Sequence, residues 1–212
     1  MTKTILWDND GVLVDTEALY YDATRKVLRS IGIDLPLDAY RQLFLKESRG
    51  AWHLAAERGF SPERIEALRR ARNDLYARLL AERNRELPGV AEVLSTLHTR
   101  FRMGVVTSAR RDHFEIIHRA TRFARFFDFV ITSDDVPETK PRPEPYLAAL
   151  ARAGSAPEET VAVEDSERGL AAARAAGIPC WILPTLLTQG GDFSGAARIL
   201  TRIEEIPDLL QA

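Results

Sequence analysis

The 212-residue chain has a single cysteine, Cys180. One thiol excludes an internal disulfide and suits a reducing compartment. It stands in the apolar run 178–183, so packing rather than reactivity is expected of it. No apolar stretch approaches the roughly 18 residues that a membrane helix needs. The acids at Asp8 and Asp10 come too early for a signal peptide, and a cytoplasmic protein is expected. Neither sign of charge dominates: 29 Lys and Arg stand against 31 Asp and Glu, a net charge of -2. Nothing therefore draws the chain as a whole to nucleic acid or to an anionic membrane. The four histidines, His53, His98, His113 and His118, lack metal-ligand spacing and are expected to be structural or surface residues. Repeats and low-complexity tracts are absent. No long apolar stripe is left over, which favours a monomer.

What is present falls into two regimes. Residues 17–84 hold no convincing strand and read as helices joined by short turns. Leu19, Ala23, Val27 and Ile31 lie at helical spacing, with Gly32 to close that helix. Ser61-Pro62-Glu63 is a helix start, followed by an apolar stripe of Ile65, Leu68, Leu75 and Leu79. Arg69, Arg70, Arg72 and Arg78, interleaved with acids, are read as the solvated face of that helix. From Leu87-Pro88-Gly89 onward, short β-rich runs at 103–107, 129–132, 161–164 and 180–183 alternate with helical segments near 90–99, 110–120, 144–153 and 167–176. Thr4–Trp7 supplies another strand. Strands separated by helices imply an α/β fold, a doubly wound parallel sheet with a Rossmann-like core. Residues 1–16 and 85–212 are assigned to this core and residues 17–84 to an inserted α-helical cap domain. Crossings near 14–16 and 84–88 would hinge the cap over the core.

In an open parallel sheet, ligands bind beyond the carboxyl ends of the strands. Asp8 and Asp10 follow the first strand, Thr107 and Ser108 the next, a loop carrying Lys140 the third, and Glu164 and Asp165 the fourth. Four polar sites thus converge on one edge. The four acids would carry four negative charges against the single positive charge of Lys140. Such a site repels anions unless a divalent cation joins it, and an oxygen-only donor set suits Mg²⁺. A phosphoryl group could then enter, with Lys140 and the two hydroxyls as partners. Phosphoryl transfer depends on positioning and charge neutralisation, which this set offers.

The segment Asp8-Asn9-Asp10-Gly11-Val12-Leu13-Val14-Asp15-Thr16-Glu17 resembles the first motif of the haloacid dehalogenase-like superfamily. Val105-Val106-Thr107-Ser108 resembles its second motif and Lys140-Pro141-Arg142-Pro143-Glu144-Pro145-Tyr146 its third. Val163-Glu164-Asp165-Ser166-Glu167-Arg168-Gly169, with Ala172-Ala173-Arg174-Ala175-Ala176-Gly177, is similar to the fourth. The helical insert resembles the cap of the β-phosphoglucomutase-like branch. The resemblance implies that Asp8 is the nucleophile, forming an aspartyl-phosphate, and that Asp10 is the general acid and then base. It implies that Asp8, the Asp10 backbone carbonyl and Asp165 hold Mg²⁺, with Glu164 in or near the outer shell, and that Ser108 or Thr107 binds phosphoryl oxygens with Lys140.

An acid at Asp10 favours phosphate-ester cleavage over dehalogenation, because a halide leaves without a proton. Mutases of the nearest branch carry a cap histidine where this chain has Leu19-Tyr20-Tyr21. Both tyrosines suit either packing or substrate contact. Lys46, Arg49 and Arg110 are read either as surface cations or as groups facing the substrate's non-reacting end. The expected function is that of a Mg²⁺-dependent phosphatase acting on a small phosphorylated metabolite, a sugar or polyol phosphate. A sugar phosphomutase and a retired phosphate-binding module are the alternatives.

Overall fold

The computed structural model describes residues 1–83 and 86–211. The chain begins with strand β1 (Thr4–Trp7) and passes into helices α1 (Glu17–Arg29), α2 (Leu37–Tyr40), α3 (His53–Glu57) and α4 (Pro62–Arg83). A π-helical segment, Arg41–Lys46, continues α2. Then α5 (Val90–Leu97), β2 (Arg102–Val106), α6 (Arg111–Thr121), β3 (Phe129–Ile131), α7 (Glu144–Ala153), β4 (Thr160–Glu164), α8 (Glu167–Ala175) and β5 (Cys180–Ile182) alternate. A two-residue strand β6 (Arg198–Ile199) and the short helix α9 (Ile206–Leu209) end the chain.

All the strand pairs are parallel, in the order β3-β2-β1-β4-β5-β6. The central strands β1 and β4 are buried on both faces because helices cover both. Ile5, Trp7, Val161 and Val163 pack with Val93 and Leu97 of α5 and Phe114 and Ile117 of α6. Leu6 and Ala162 point the other way, toward Tyr146 and Leu150 of α7 and Leu170 and Ala173 of α8. The alternation follows from the two-residue repeat of a strand. Cys180 is buried in this second layer, as its apolar run implied.

Helices α1 to α4, inserted between β1 and α5, build a cap with an apolar cluster of its own, in which Leu28, Leu35, Tyr40, Trp52 and Leu68 are buried. The two chain crossings run side by side: Val14 bridges to both Asp10 and Glu86, and the Leu87 amide donates to the Leu13 carbonyl at 3.1 Å. The cap's far boundary, at residues 84 and 85, lies outside the described residues. Among the described residues no helix is long and apolar enough to cross a membrane.

On α4 the structure departs from the sequence reading. Ile65, Leu75 and Leu79 are only half-buried. The buried face is Leu68, Arg72, Tyr76 and Leu80, spaced at four. Arg72, assigned to the solvated face, is 8% exposed. Arg69, Arg70 and Arg78 are exposed as expected. Tyr20 supplies the reason, because the Arg72 guanidinium lies 4.3 Å from its ring centroid, a cation–π contact that tolerates burial.

Candidate active site

Neighbouring strands in the sheet leave β1 in opposite directions of chain order, toward β2 on one side and β4 on the other. The carboxyl ends of β1 and β4 therefore bound the crevice at the switch point. Asp8 ends β1, where its amide donates to the Val163 carbonyl at 2.9 Å. Glu164 and Asp165 end β4. Lys140, 3% exposed, reaches between them. Its ammonium donates to Asp8 Oδ1, Glu164 Oε1 and the Val106 carbonyl, each at 2.6 Å. Those three bonds use all three of its N–H groups. The Tyr146 hydroxyl adds a 2.6 Å bond to Glu164 Oε1.

Burial and the nearby Glu164 push the Asp8 carboxyl up to about 7, against the opposing pull of Lys140. Burial, then Asp8 and Glu164, raise Asp165 well above the ordinary range. Burial alone would lower the Lys140 ammonium, but Asp8 and Glu164 outweigh it and hold the lysine charged. The acids are thus short of positive charge.

Carboxylate oxygens of Asp8, Glu164 and Asp165 lie within 4.8 Å of one another, an all-oxygen donor set that fits a hard divalent cation. Two glycines make room for these carboxylates. Gly11 has φ +88°, and a Cβ there would lie 2.4 Å from Asp165 Oδ2. A Cβ on Gly169 would meet Glu164 Oε2 at 1.9 Å. Ser166 caps α8, accepting from the Gly169 amide at 3.2 Å.

The Asp10 side chain turns away from this cluster. Oδ1 accepts from the Thr16 hydroxyl, and Oδ2 from Asn9 Nδ2 at 3.2 Å and Thr107 Oγ1 at 3.3 Å. The Asn9 amide nitrogen faces a carboxylate, so its Oδ1 accepts from His118 Nε2, 2.8 Å away. His118 Nδ1 in turn accepts from the Thr121 hydroxyl at 3.1 Å. A buried hydrogen-bond chain therefore runs from α6 to Asp10, with His118 in the structural role expected of it. The two candidate hydroxyls separate clearly. Thr107 Oγ1 also accepts from the Ala109 amide at 2.9 Å, whereas the buried Ser108 Oγ has no hydrogen-bond partner among the described residues and lines the cavity over Asp8.

That cavity, about 210 Å³, lies between cap and core. Asp8, Asp10 and Ser108 line its floor, while Tyr20, Phe44, Leu45 and Tyr76 form the cap wall. Tyr20 is therefore placed to touch a substrate. Arg110 lines the cavity but is held by Asp112 at 3.1 and 2.9 Å. Lys46 is exposed and lines an adjoining cleft with Gln189 and Gly190, and Arg49 is exposed and lines neither. Three charged lining residues were not read from the sequence as site residues: Glu17, Arg168, and Arg72, which was assigned to a solvated face. Glu17 accepts from the Tyr40 hydroxyl, and burial raises its carboxyl against the pull of Arg168. Burial alone would lower the Arg168 guanidinium, but Glu17, Asp8 and Asp165 together raise it. With these three included, five acids face three cations, and a doubly charged ion brings the site to neutrality.

Fold and site together define a hydrolase with a parallel α/β core and a helical cap. The family model for haloacid dehalogenase-like hydrolases matches residues 5–183. The chain belongs to the haloacid dehalogenase-like hydrolase family, and within it to the phosphatases. It is 33% identical to protein CbbY of Cereibacter sphaeroides, over 99% of this chain and 96% of that one. It is also 33% identical to a phosphorylated carbohydrates phosphatase of Thermotoga maritima, covering 83% of this chain and 82% of that one. Among solved structures, a mutant CbbY from Rhodobacter sphaeroides in complex with xylulose-(1,5)bisphosphate superposes with a TM-score of 0.82 at 30% identity. The match covers 94% of each chain.

Proposed function

We propose that the chain is a Mg²⁺-dependent phosphatase that hydrolyses a small phosphorylated sugar or polyol through an aspartyl-phosphate on Asp8. The observation that carries this reading is the Asp8–Lys140–Glu164 cluster beside Asp165, with the partnerless Ser108 hydroxyl in the same cavity. Relatives described as acting on phosphorylated carbohydrates or binding a sugar bisphosphate support the substrate class. We also assign residues 17–84 to the cap and residues 1–16 and 85–212 to the core.

The substrate phosphoryl group enters against Ser108, with the charge of Lys140 behind Asp8. A carboxylate oxygen of Asp8 forms a bond to phosphorus as the ester oxygen leaves, and Asp10 gives that oxygen its proton. Water then attacks the phosphorus while Asp10 takes its proton back. Inorganic phosphate leaves and the Asp8 carboxylate is restored. Asp8 and Asp165, with the Asp10 carbonyl, would hold Mg²⁺, and Glu164 would stand behind them. Bound there, the ion supplies positive charge to the phosphoryl oxygens. Asn9 and Thr107 keep the Asp10 carboxyl oriented, and closure of the cap excludes bulk water.

The test is phosphate release from a panel of phosphorylated sugars and polyols with Mg²⁺ and with chelator. Free phosphate is expected only with metal. Full turnover in chelator overturns the proposal, and an isomerised sugar phosphate without free phosphate would make the protein a mutase.

A further inference from the structure

Asn9 stands between the two catalytic acids and is fully buried. Its side chain reaches α6 on the face of the sheet where Ile5 and Trp7 pack with Phe114 and Ile117. An apolar residue would suit that layer, and a buried amide is costly there unless both its ends are hydrogen-bonded. The partner is a second buried polar group, His118, whose ring lies against Phe114 and Phe123. The Thr121 hydroxyl fixes that ring. Its oxygen accepts from the Phe123 amide at 3.3 Å, leaving its proton for His118 Nδ1. Burial pushes the imidazole down to about 4, so at neutral pH the ring carries a single N–H, on Nε2. That N–H donates to Asn9 Oδ1, which turns Asn9 Nδ2 toward Asp10 Oδ2. Asp10 lines the catalytic cavity and His118 does not.

We propose that His118, acting through the Asn9 amide, is a positioning residue that holds the Asp10 carboxyl in line for proton transfer to the leaving oxygen. This deepens the phosphatase reading and rests on it for the role of Asp10. No proton moves along the relay: the N–H bonds of His118 and Asn9 stay intact, and only Asp10 gives a proton to the ester oxygen and takes one from water. Asp10 Oδ2 has one other donor, Thr107 at 3.3 Å, which by itself leaves the carboxyl free to turn. Without the Nε2–H, Asn9 Oδ1 is unpaired in an apolar layer and nothing opposes rotation of the amide away from Asp10. Loss of the relay should therefore slow the step in which Asp10 gives up its proton, and slow it more as the leaving oxygen becomes more basic.

The experiment measures kcat/KM of the full chain with Mg²⁺ for a series of substituted phenyl phosphates. This constant covers the steps up to departure of the phenol, for which para-nitrophenolate needs no proton and phenolate does. In His118→Phe it should fall about tenfold for phenyl phosphate, part of what a general acid contributes, and little for para-nitrophenyl phosphate. His118→Gln keeps an N–H for Asn9 and should recover part of the loss. Asn9→Leu should show the same selective loss, and adding His118→Phe to it should cost little more. A loss equal for every leaving group, no loss at all, or independent losses in the double variant overturns the proposal. If His118→Phe does not fold, Asn9→Leu with and without it decides, since the double variant has no amide to leave unpaired; a further tenfold loss there overturns the proposal. If wild type hydrolyses no aryl phosphate, the phosphatase reading fails, and NMR of labelled protein decides the positioning separately. His118 should show the Nε2–H tautomer, and the Asn9 amide and Asp10 carboxyl resonances should move in His118→Gln. The Nδ1–H tautomer, or resonances that stay in place, overturns the proposal.

Discussion

Replacing His118 by phenylalanine isolates the hydrogen-bond chain behind Asp10. His118 is 4% exposed, and burial pushes its imidazole down to about 4 from an ordinary 6.5. Between those values the unfolded chain binds a proton that the folded chain refuses, so wild type loses stability as pH falls through this window. The whole shift is worth about 3 kcal/mol, of which about 2 kcal/mol is lost by pH 5. Phenylalanine keeps the ring and its packing against Phe114 and Phe123 but cannot titrate. It leaves the buried Asn9 Oδ1 without its donor, a cost of about 1–3 kcal/mol. The variant should therefore be less stable than wild type by about 1–3 kcal/mol at pH 7.5, and the gap should shrink by about 2 kcal/mol at pH 5. Urea unfolding of both proteins at the two pH values, in chelator, measures this. Asp8 and Asp165 are raised, so they contribute with the opposite sign, but they do so in both proteins and cancel in the difference. A gap that is the same at both pH values, or wider at pH 5, refutes the buried neutral imidazole.

Other outcomes follow from the same geometry. Ser108→Ala should lower kcat/KM about ten- to hundredfold with stability unchanged, because the hydroxyl has no partner among the described residues; a loss of stability without a loss of rate contradicts this. Lys140→Met leaves two buried acids without their cation and should cost about 3 kcal/mol or more in urea unfolding at pH 7.5. The loss should be smaller at pH 5.5, where Asp8 takes up a proton instead. Mg²⁺ binding near pH 6.5 should release protons, because Asp8 at about 7 and the raised Asp165 must ionise to hold the ion, and affinity should rise with pH through that range. Calorimetry in buffers of different ionisation enthalpy checks it, and heats independent of the buffer would speak against these two ligands.

The sheet was legible because its five longer strands are short apolar runs, four of them closed by polar residues, and the acids were legible because they stand at those closing positions. β6 was not, since Arg198 and Ile199 are both exposed and carry no periodic signal. Arg72 was hidden by its neighbours: five exposed arginines on one helix make a sixth look solvated. The clue lay in the spacing of Leu68, Arg72, Tyr76 and Leu80, which puts the arginine on the buried face. Arg168 sits inside the fourth motif, where Glu167 and the chain turn draw the eye to capping rather than to the cavity. The division of labour between Thr107 and Ser108 depends on which hydroxyl the backbone already occupies, a three-dimensional fact without a sequence pattern.

Rapid acid quench of the protein during turnover with Mg²⁺, followed by mass spectrometry of its peptides, asks whether Asp8 carries the phosphoryl group. The peptide holding Asp8 should gain the mass of one phosphoryl group, and the gain should vanish in chelator and in Asp8→Asn, which should fold but not turn over. Undiminished turnover by Asp8→Asn, or phosphorylation of some other residue at the rate of catalysis, would contradict the assignment of Asp8 as nucleophile.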